Sequence, residues 1–306
     1  MKKTIFIVSI TLMSILIGCE KEPELKGTAG SLSWELTTEG ILLIKGQGKM
    51  PDYDNVIGSS TYNPPPWIWL ANNIKKVVIA DGVTSIGNYA FNTCSLTDID
   101  FPPSVNRIGN NAFNHCTSLR NITLPDHVTT IEKETFYDCY GLTNISIPNG
   151  ITIIDDGAFF HCGNLTEFII TENVTTIGNH VFFACRKLKN INIPDNVKSI
   201  GESAFSCNYN LISVTIGNGI TIIPSSAFRD NPDLTNVFIG NGISTIGDYA
   251  FSGCRNIKQM TIMSTVPPEH HEDDFKIETL YVPKESIDIY RNTTIWATIC
   301  NNIEPI

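Results

Sequence analysis

The residues best suited to bind a metal, cross-link or attack a substrate are nine cysteines and six histidines. Cys94, Cys116, Cys139, Cys162 and Cys185 follow one another at steps of 22 and then 23 residues, and Cys254 lies three further 23-residue steps on. Asn208 and Asn231 hold the two intervening places. A column in which thiol and carboxamide exchange asks for a small buried group facing backbone amides, with the thiol as a compact filler. Sheet spacing of about 4.8 Å would bring neighbouring Cα atoms within disulfide reach. Stacked side chains point the same way, however, so unpaired buried thiols are expected. Cys207 is one step out of phase, and Cys300 lies near the C-terminus. No C-x-x-C or Cys/His cluster of ligand spacing occurs, so no metal is expected. His270-His271-Glu272-Asp273-Asp274 has suitable atoms for a divalent cation, but as an isolated charged run it reads as a solvent-facing loop. His115 and His161 share one register two repeats apart, a separation of roughly 10 Å that rules out shared coordination or proton relay. Nucleophile elbows, phosphate loops and paired carboxylates are absent from the sequence. No catalytic residue, cofactor or metal is assigned, and the chain reads as a non-enzyme.

The elements that must carry these residues repeat. Phe91, Phe113, Phe136, Phe159, Phe182, Phe205, Phe228 and Phe251 are spaced by 22 once and by 23 thereafter, defining eight units over residues 72–254. In the unit Thr117–Cys139, apolar Leu119, Ile122 and Leu124 stand at positions 3, 6 and 8, alternating with polar neighbours as in a strand with one buried face. Pro102, Pro125, Pro148 and Pro194 end that strand without disturbing the pairing upstream. Turn pairs such as Asn149-Gly150 and Asn218-Gly219 redirect the chain into a second short β-like run. Gly87, Gly109 and Gly201 are then expected to bend the backbone into a helical turn carrying Ala-Phe. A single unit cannot bury its apolar face alone, so stacked neighbours must complete the core.

The pattern L-x-x-I-x-I-P-x-x-V-x-x-I-G-x-x-A-F-x-x-C resembles the BspA-type leucine-rich repeat. The segments Ser33-Trp34-Glu35-Leu36 through Asp52-Tyr53, and Leu280-Tyr281-Val282-Pro283 with Tyr290, Trp296 and Ile303-Glu304-Pro305-Ile306, resemble that family's two caps. The resemblance implies a right-handed, β-rich solenoid of short strands and helical turns, closed at both ends. It implies a cell-surface or secreted adhesin and no catalytic residues.

The N-terminus sets the expected address. Lys2 and Lys3 precede an apolar stretch, Ile5 to Ile17, too short for a comfortable membrane span. Its end, Leu16-Ile17-Gly18-Cys19, is similar to a bacterial lipobox, which makes Cys19 the lipidated first residue of the mature protein. Acyl chains contribute about 0.8 kcal/mol per buried methylene, so such an anchor needs no spanning helix. Residues 1–18 are read as the signal peptide, 19–28 as a tether, 29–71 as an N-terminal β cap, and 255–306 as a degenerate repeat with a C-terminal cap. Outer-membrane anchoring with cell-surface exposure is expected, with the periplasmic face as the other placement. The formal charge is −10, and loss of Lys2 and Lys3 takes it to −12. That field disfavours nucleic acid and anionic lipid surfaces.

Strand positions 4, 5 and 7 point away from the core, and from 5 and 7 the candidate binding face is drawn: Asp98, Asp100, Asn121, Thr123, Asn144, Ser146, Glu167, Asn190, Asn192, Asn236 and Phe238. A polar, largely uncharged surface of this kind suits a protein partner. The alternatives are glycan capture for nutrient uptake and a structural envelope role, and the scarcity of aromatics on the face weighs against a lectin. Trp67 and Trp69 form a secondary candidate in the N-cap, where lidding the open end of the core is the competing role. The solenoid is expected to be monomeric.

Overall fold

The computed structural model describes residues 25–54, 60–270 and 275–306. They form a parallel β-solenoid whose turns stack in register at the 23-residue period, preceded by a cap in which Leu25–Ala29, Leu32–Leu36 and Ile41–Gly46 pair antiparallel. Alternating residues build its main ladder: in Ser213–Ile216, Val214 and Ile216 are buried while Thr215 faces out. Ile41–Gly46 pairs with Lys76–Ile79, which pairs with Asp98–Asp100; Asn121–Thr123 pairs with Asn144–Ser146. The ladder then runs from Asn190–Ile193 through Ser213–Ile216, Asn236–Ile239, Gln259–Ile262 and Ile277–Val282 to Cys300–Pro305. A second row of shorter strands, such as Thr130–Ile131, Ile153–Ile154, Thr176–Ile177 and Ser199–Ile200, forms a further wall.

The Phe side of each turn supplies the third wall. The eight repeat phenylalanines are fully buried, and consecutive ring centroids lie 5.2–5.5 Å apart. The residue two before and the residue two after every one of them is left-handed, mostly without glycine; Tyr89 and Thr93, for example, have φ of 54° and 63°. The alternation aims every second N–H along the solenoid axis. Tyr89, Phe91 and Thr93 donate to the carbonyls of Asn110, Ala112 and Asn114 in the next turn, while Ala90, Asn92 and Cys94 close local turns. Left-handed backbone costs a side-chain-bearing residue roughly 1–2 kcal/mol, offset here by the axial hydrogen bonds. The segment is thus a stack of hydrogen-bonded turns, and its bend does not come from Gly87, Gly109 or Gly201, none of which is left-handed. Those glycines are needed for close approach: a Cβ at Gly87 would stand 1.7 Å from the Pro51 carbonyl oxygen.

The cysteine column lines the same wall. Cys116, Cys139, Cys162, Cys185 and Cys254 each donate an S–H to the Phe carbonyl of the preceding turn, at 3.0–3.2 Å. Asn231 donates its Nδ2 to the equivalent oxygen of Phe205 at 3.0 Å. Asn231 thus keeps the thiol's donor to the preceding turn, whereas Asn208 donates Nδ2 to the Phe205 carbonyl of its own turn at 2.9 Å; no disulfide joins the described cysteines.

Both ends of the core are closed. Trp67 is fully buried, stacks on Phe91 at 5.9 Å and donates Nε1–H to the Ala90 carbonyl. At the other end Phe275 follows Phe251 at 5.4 Å, and the short helices Ile287–Asn292 and Thr294–Ile299 bury Tyr290 and Trp296.

Two interruptions position the site. Asp98–Asp100 is not paired with Asn121–Thr123, nor Arg107–Ile108 with Thr130–Ile131, although the Phe side continues across this seam through Phe113 N–H to the Thr135 carbonyl. The main ladder lapses again at 167–170, where no strand forms. An aromatic occupies an aliphatic strand position at each interruption. Phe101 sets its edge on Phe113 at 6.1 Å, and Phe168 wedges between Phe159 and Phe182 at 5.0 and 4.7 Å. A ring needs more room than the aliphatic residue used elsewhere, so the flanking strands separate at the face.

Candidate binding face

All eleven face residues are exposed on the main-ladder side of the solenoid. Period-two alternation places them there: ten lie in main-ladder strands beside core-facing residues, and Glu167, in the strandless stretch 167–170, precedes the buried Phe168. Some are held by one another: Asn144 Nδ2 donates to Asn121 Oδ1 at 3.0 Å, and Ser213 donates to Asn190 Oδ1 at 2.7 Å. At the N-terminal end Lys76 Nζ reaches Asp100 at 2.8 Å and Asp98 at 3.0 Å. Hydrogen bonds that the Lys76 ammonium donates to these two carboxylates, Asp100 first, hold it above its usual range. These contacts fix side-chain directions and leave a rigid polar sheet.

The two ladder interruptions open clefts in this face. One, of about 530 Å³, lies between the segments 98–103 and 121–127. The other, of about 550 Å³, lies between 166–170 and 189–192, with Ile169 at its rim 68% exposed. Phe238 stands further along, 39% exposed. The two candidate tryptophans part company: Trp67 is the lid of the Phe column, whereas Trp69 is 77% exposed.

The model of the BspA type leucine rich repeat region matches in six copies, over residues 69–182 and 152–268. The chain belongs to the BspA-type leucine-rich-repeat family. A solved leucine-rich repeat protein from Bacteroides ovatus is 20% identical over 92% of this chain and 76% of that one, with a TM-score of 0.55, and shares the fold. A leucine rich cell surface protein from Faecalibacterium prausnitzii is 22% identical, covering 94% of this chain and 96% of its own, at a TM-score of 0.41. The Leucine Rich Repeat protein of T. pallidum is 24% identical over 74% of this chain and 88% of its own, at 0.44. No curated protein matches the chain. Membership of this typically cell-surface family suggests a repeat-based binding or adhesion role.

Two features of this BspA-type solenoid escaped the sequence reading. His115 and His161 are coupled after all: Asp138, in the same column one turn from each, takes His115 Nδ1 at 3.3 Å on one carboxylate oxygen and His161 Nδ1 on the other. Neither ring reaches the other; the contact runs through the carboxylate that stands between them. Beside this bridge the half-buried rings of Tyr137, Phe160 and Phe183 stack at 4.6 and 4.9 Å. Their signal was an aromatic immediately after the repeat Phe in three consecutive units. No group of three or more metal-ligating side chains occurs among the described residues, and no helix there is long and apolar enough to cross a membrane. Cys19 and residues 271–274 lie outside the described residues.

Proposed function

We propose that this protein is a lipoprotein anchored through Cys19 at the outer membrane, displayed on the cell surface, and that it binds a protein partner along its main-ladder face. The observation that supports this reading is the exposure of all eleven candidate residues on one face of a rigid array. Rigid ladders lose little conformational entropy on binding, which favours recognition by a preformed surface. Glycan capture is the weaker reading, because Phe238 is the lone aromatic among those eleven residues. Cys19→Ala is expected to release the chain from the membrane fraction, and protease applied to intact cells is expected to remove wild type from the surface. Retention of Cys19→Ala in the membrane, or full protection from protease, would contradict the placement. For the binding role, a bulky charge at Asn236 (Asn236→Arg) should abolish partner capture from host extracts while leaving the melting temperature within a few degrees. Unaltered capture by Asn236→Arg and by Asn144→Arg would contradict the face.

A further inference from the structure

We infer that the seam between Asp98–Asp100 and Asn121–Thr123 is the recognition subsite of this face, and that it takes an extended basic segment of the partner with a Lys or Arg side chain lodged against Asp98, Asp100 and Asp126. The inference rests on the face reading above and deepens it.

Elsewhere along the main ladder, the backbone groups on the two sides of a strand are largely consumed by the neighbouring turns. Here Asp98–Asp100 pairs only with Lys76–Ile79, and Asn121–Thr123 only with Asn144–Ser146. The strand sides that face each other across the cleft therefore lack sheet partners. The two strands stay within 8 Å of each other, too close to admit a third strand between them, so an extended segment lies over the mouth of the cleft rather than within the sheet. The cleft does not depend on an occupant to stay formed. The Phe-side ladder crosses beneath it, and Arg107 bridges the same two turns on the second wall, placing Nε 2.8 Å and Nη2 3.0 Å from the two Glu132 carboxylate oxygens.

Charge chooses the occupant. Asp98 and Asp100 share a single cation, Lys76, and their side chains remain 55% and 57% exposed. Asp126 adds a third carboxylate to the cleft lining. An anionic or phosphorylated segment would meet repulsion here, reinforced by the chain's net charge of −10. Phe101, Pro102, Pro103 and Pro125 supply apolar lining, against which the methylene stem of a Lys or Arg can pack while its head reaches the carboxylates. The other cleft offers no such choice, since its lining carries one acid and one base, Glu167 and Lys189, and is rimmed by Ile169.

The test is fluorescence anisotropy with detergent-solubilised full chain and two labelled peptides of equal length, Thr-Lys-Thr-Lys-Thr-Lys-Thr and its Glu counterpart. The Lys peptide should bind with an affinity that falls as salt rises, and the Glu peptide should not. Asp98→Asn with Asp100→Asn should weaken binding about tenfold, and Lys76→Ala, which frees both carboxylates, should tighten it about threefold. Tightening is a result that a folding defect would not produce. Equal binding of both peptides, or no response to either variant, would overturn the subsite. If the Lys peptide fails but Asn236→Arg still abolishes capture of a partner, the seam assignment falls and the face stands. If Asn236→Arg and Asn144→Arg also leave capture unaltered, both fall.

Discussion

The cysteine column makes the solenoid sensitive to alkali in a way that can be counted. Cys94, Cys116, Cys139, Cys162 and Cys185 are all within 1% of full burial. Desolvation pushes the Cys94 thiol up to about 12, and burial raises the other four as well. In the unfolded chain these thiols titrate near 8.5. Below that value both states hold the protons, and the column is fully stabilising. Above it the unfolded chain releases protons that the folded chain keeps, so stability falls as pH rises until the folded values are reached. Each thiol then contributes a slope of about 1.4 kcal/mol per pH unit. At roughly one unit above 8.5, the five together remove about 7 kcal/mol, comparable to the 5–15 kcal/mol net stability of ordinary domains. Urea unfolding at intervals from pH 7.5 to 10 should show stability flat at first and then falling steeply. Cys139→Asn, which repeats the residue already present at positions 208 and 231, should remove about one proton from the slope. A flat profile through pH 10, or an unchanged slope in Cys139→Asn, would refute the claim that the column is held as neutral buried thiols.

Other expectations concern packing and caps. Phe159→Ala removes a ring that touches Phe136, Phe168 and Phe182 and should cost about 3–5 kcal/mol in denaturant unfolding. Gly201→Ala would press a Cβ to 2.5 Å from the Gly178 carbonyl oxygen and should destabilise by about 1–3 kcal/mol, whereas Gly150→Ala, with its nearest neighbour at 3.5 Å, should be tolerated. At Asp52 burial pushes the carboxyl up, but the Asn88 N–H and Arg107 outweigh it and leave the group below its usual value of 3.8. A depressed carboxylate stabilises above 3.8 and loses that contribution as pH falls below it. Arg107→Ala should therefore lower the melting temperature at pH 7 and reduce this part of the acid sensitivity, leaving the share that comes from the Asn88 N–H.

The fold was legible because its determinants are periodic. Eight phenylalanines in phase, apolar residues at positions 6 and 8 and a Cys/Asn column each report a burial requirement that recurs in every turn. The direction of the face residues followed from the same alternation. What stayed hidden depends on exceptions to the period. Phe101 and Phe168 look like ordinary apolar occupants of strand positions, and only the space their rings take reveals that they part the ladder. The left-handed residues left no signature, since Tyr89, Glu134, Ala184 and Cys207 share a conformation but no chemical type. Glycine was visible at Gly201 and the equivalent positions, yet its reason was the approach of the neighbouring turn, a contact between residues 23 apart. The Asp138 bridge was missed for a similar reason, because each histidine was compared with the other and not with the column between them.

Recognition is assigned to the main-ladder face and not to the Phe-side turns, where Tyr137, Phe160 and Phe183 present the rival surface. Hydrogen exchange of the full chain, alone and saturated with a captured partner, tests this most directly. Slowed exchange in Asp98–Asp100, Asn121–Thr123 and Asn144–Ser146, with the turns around Tyr137 and Phe160 unchanged, is the predicted result. Protection confined to those turns or to the segment around Trp69, with the strands unaffected, would contradict it.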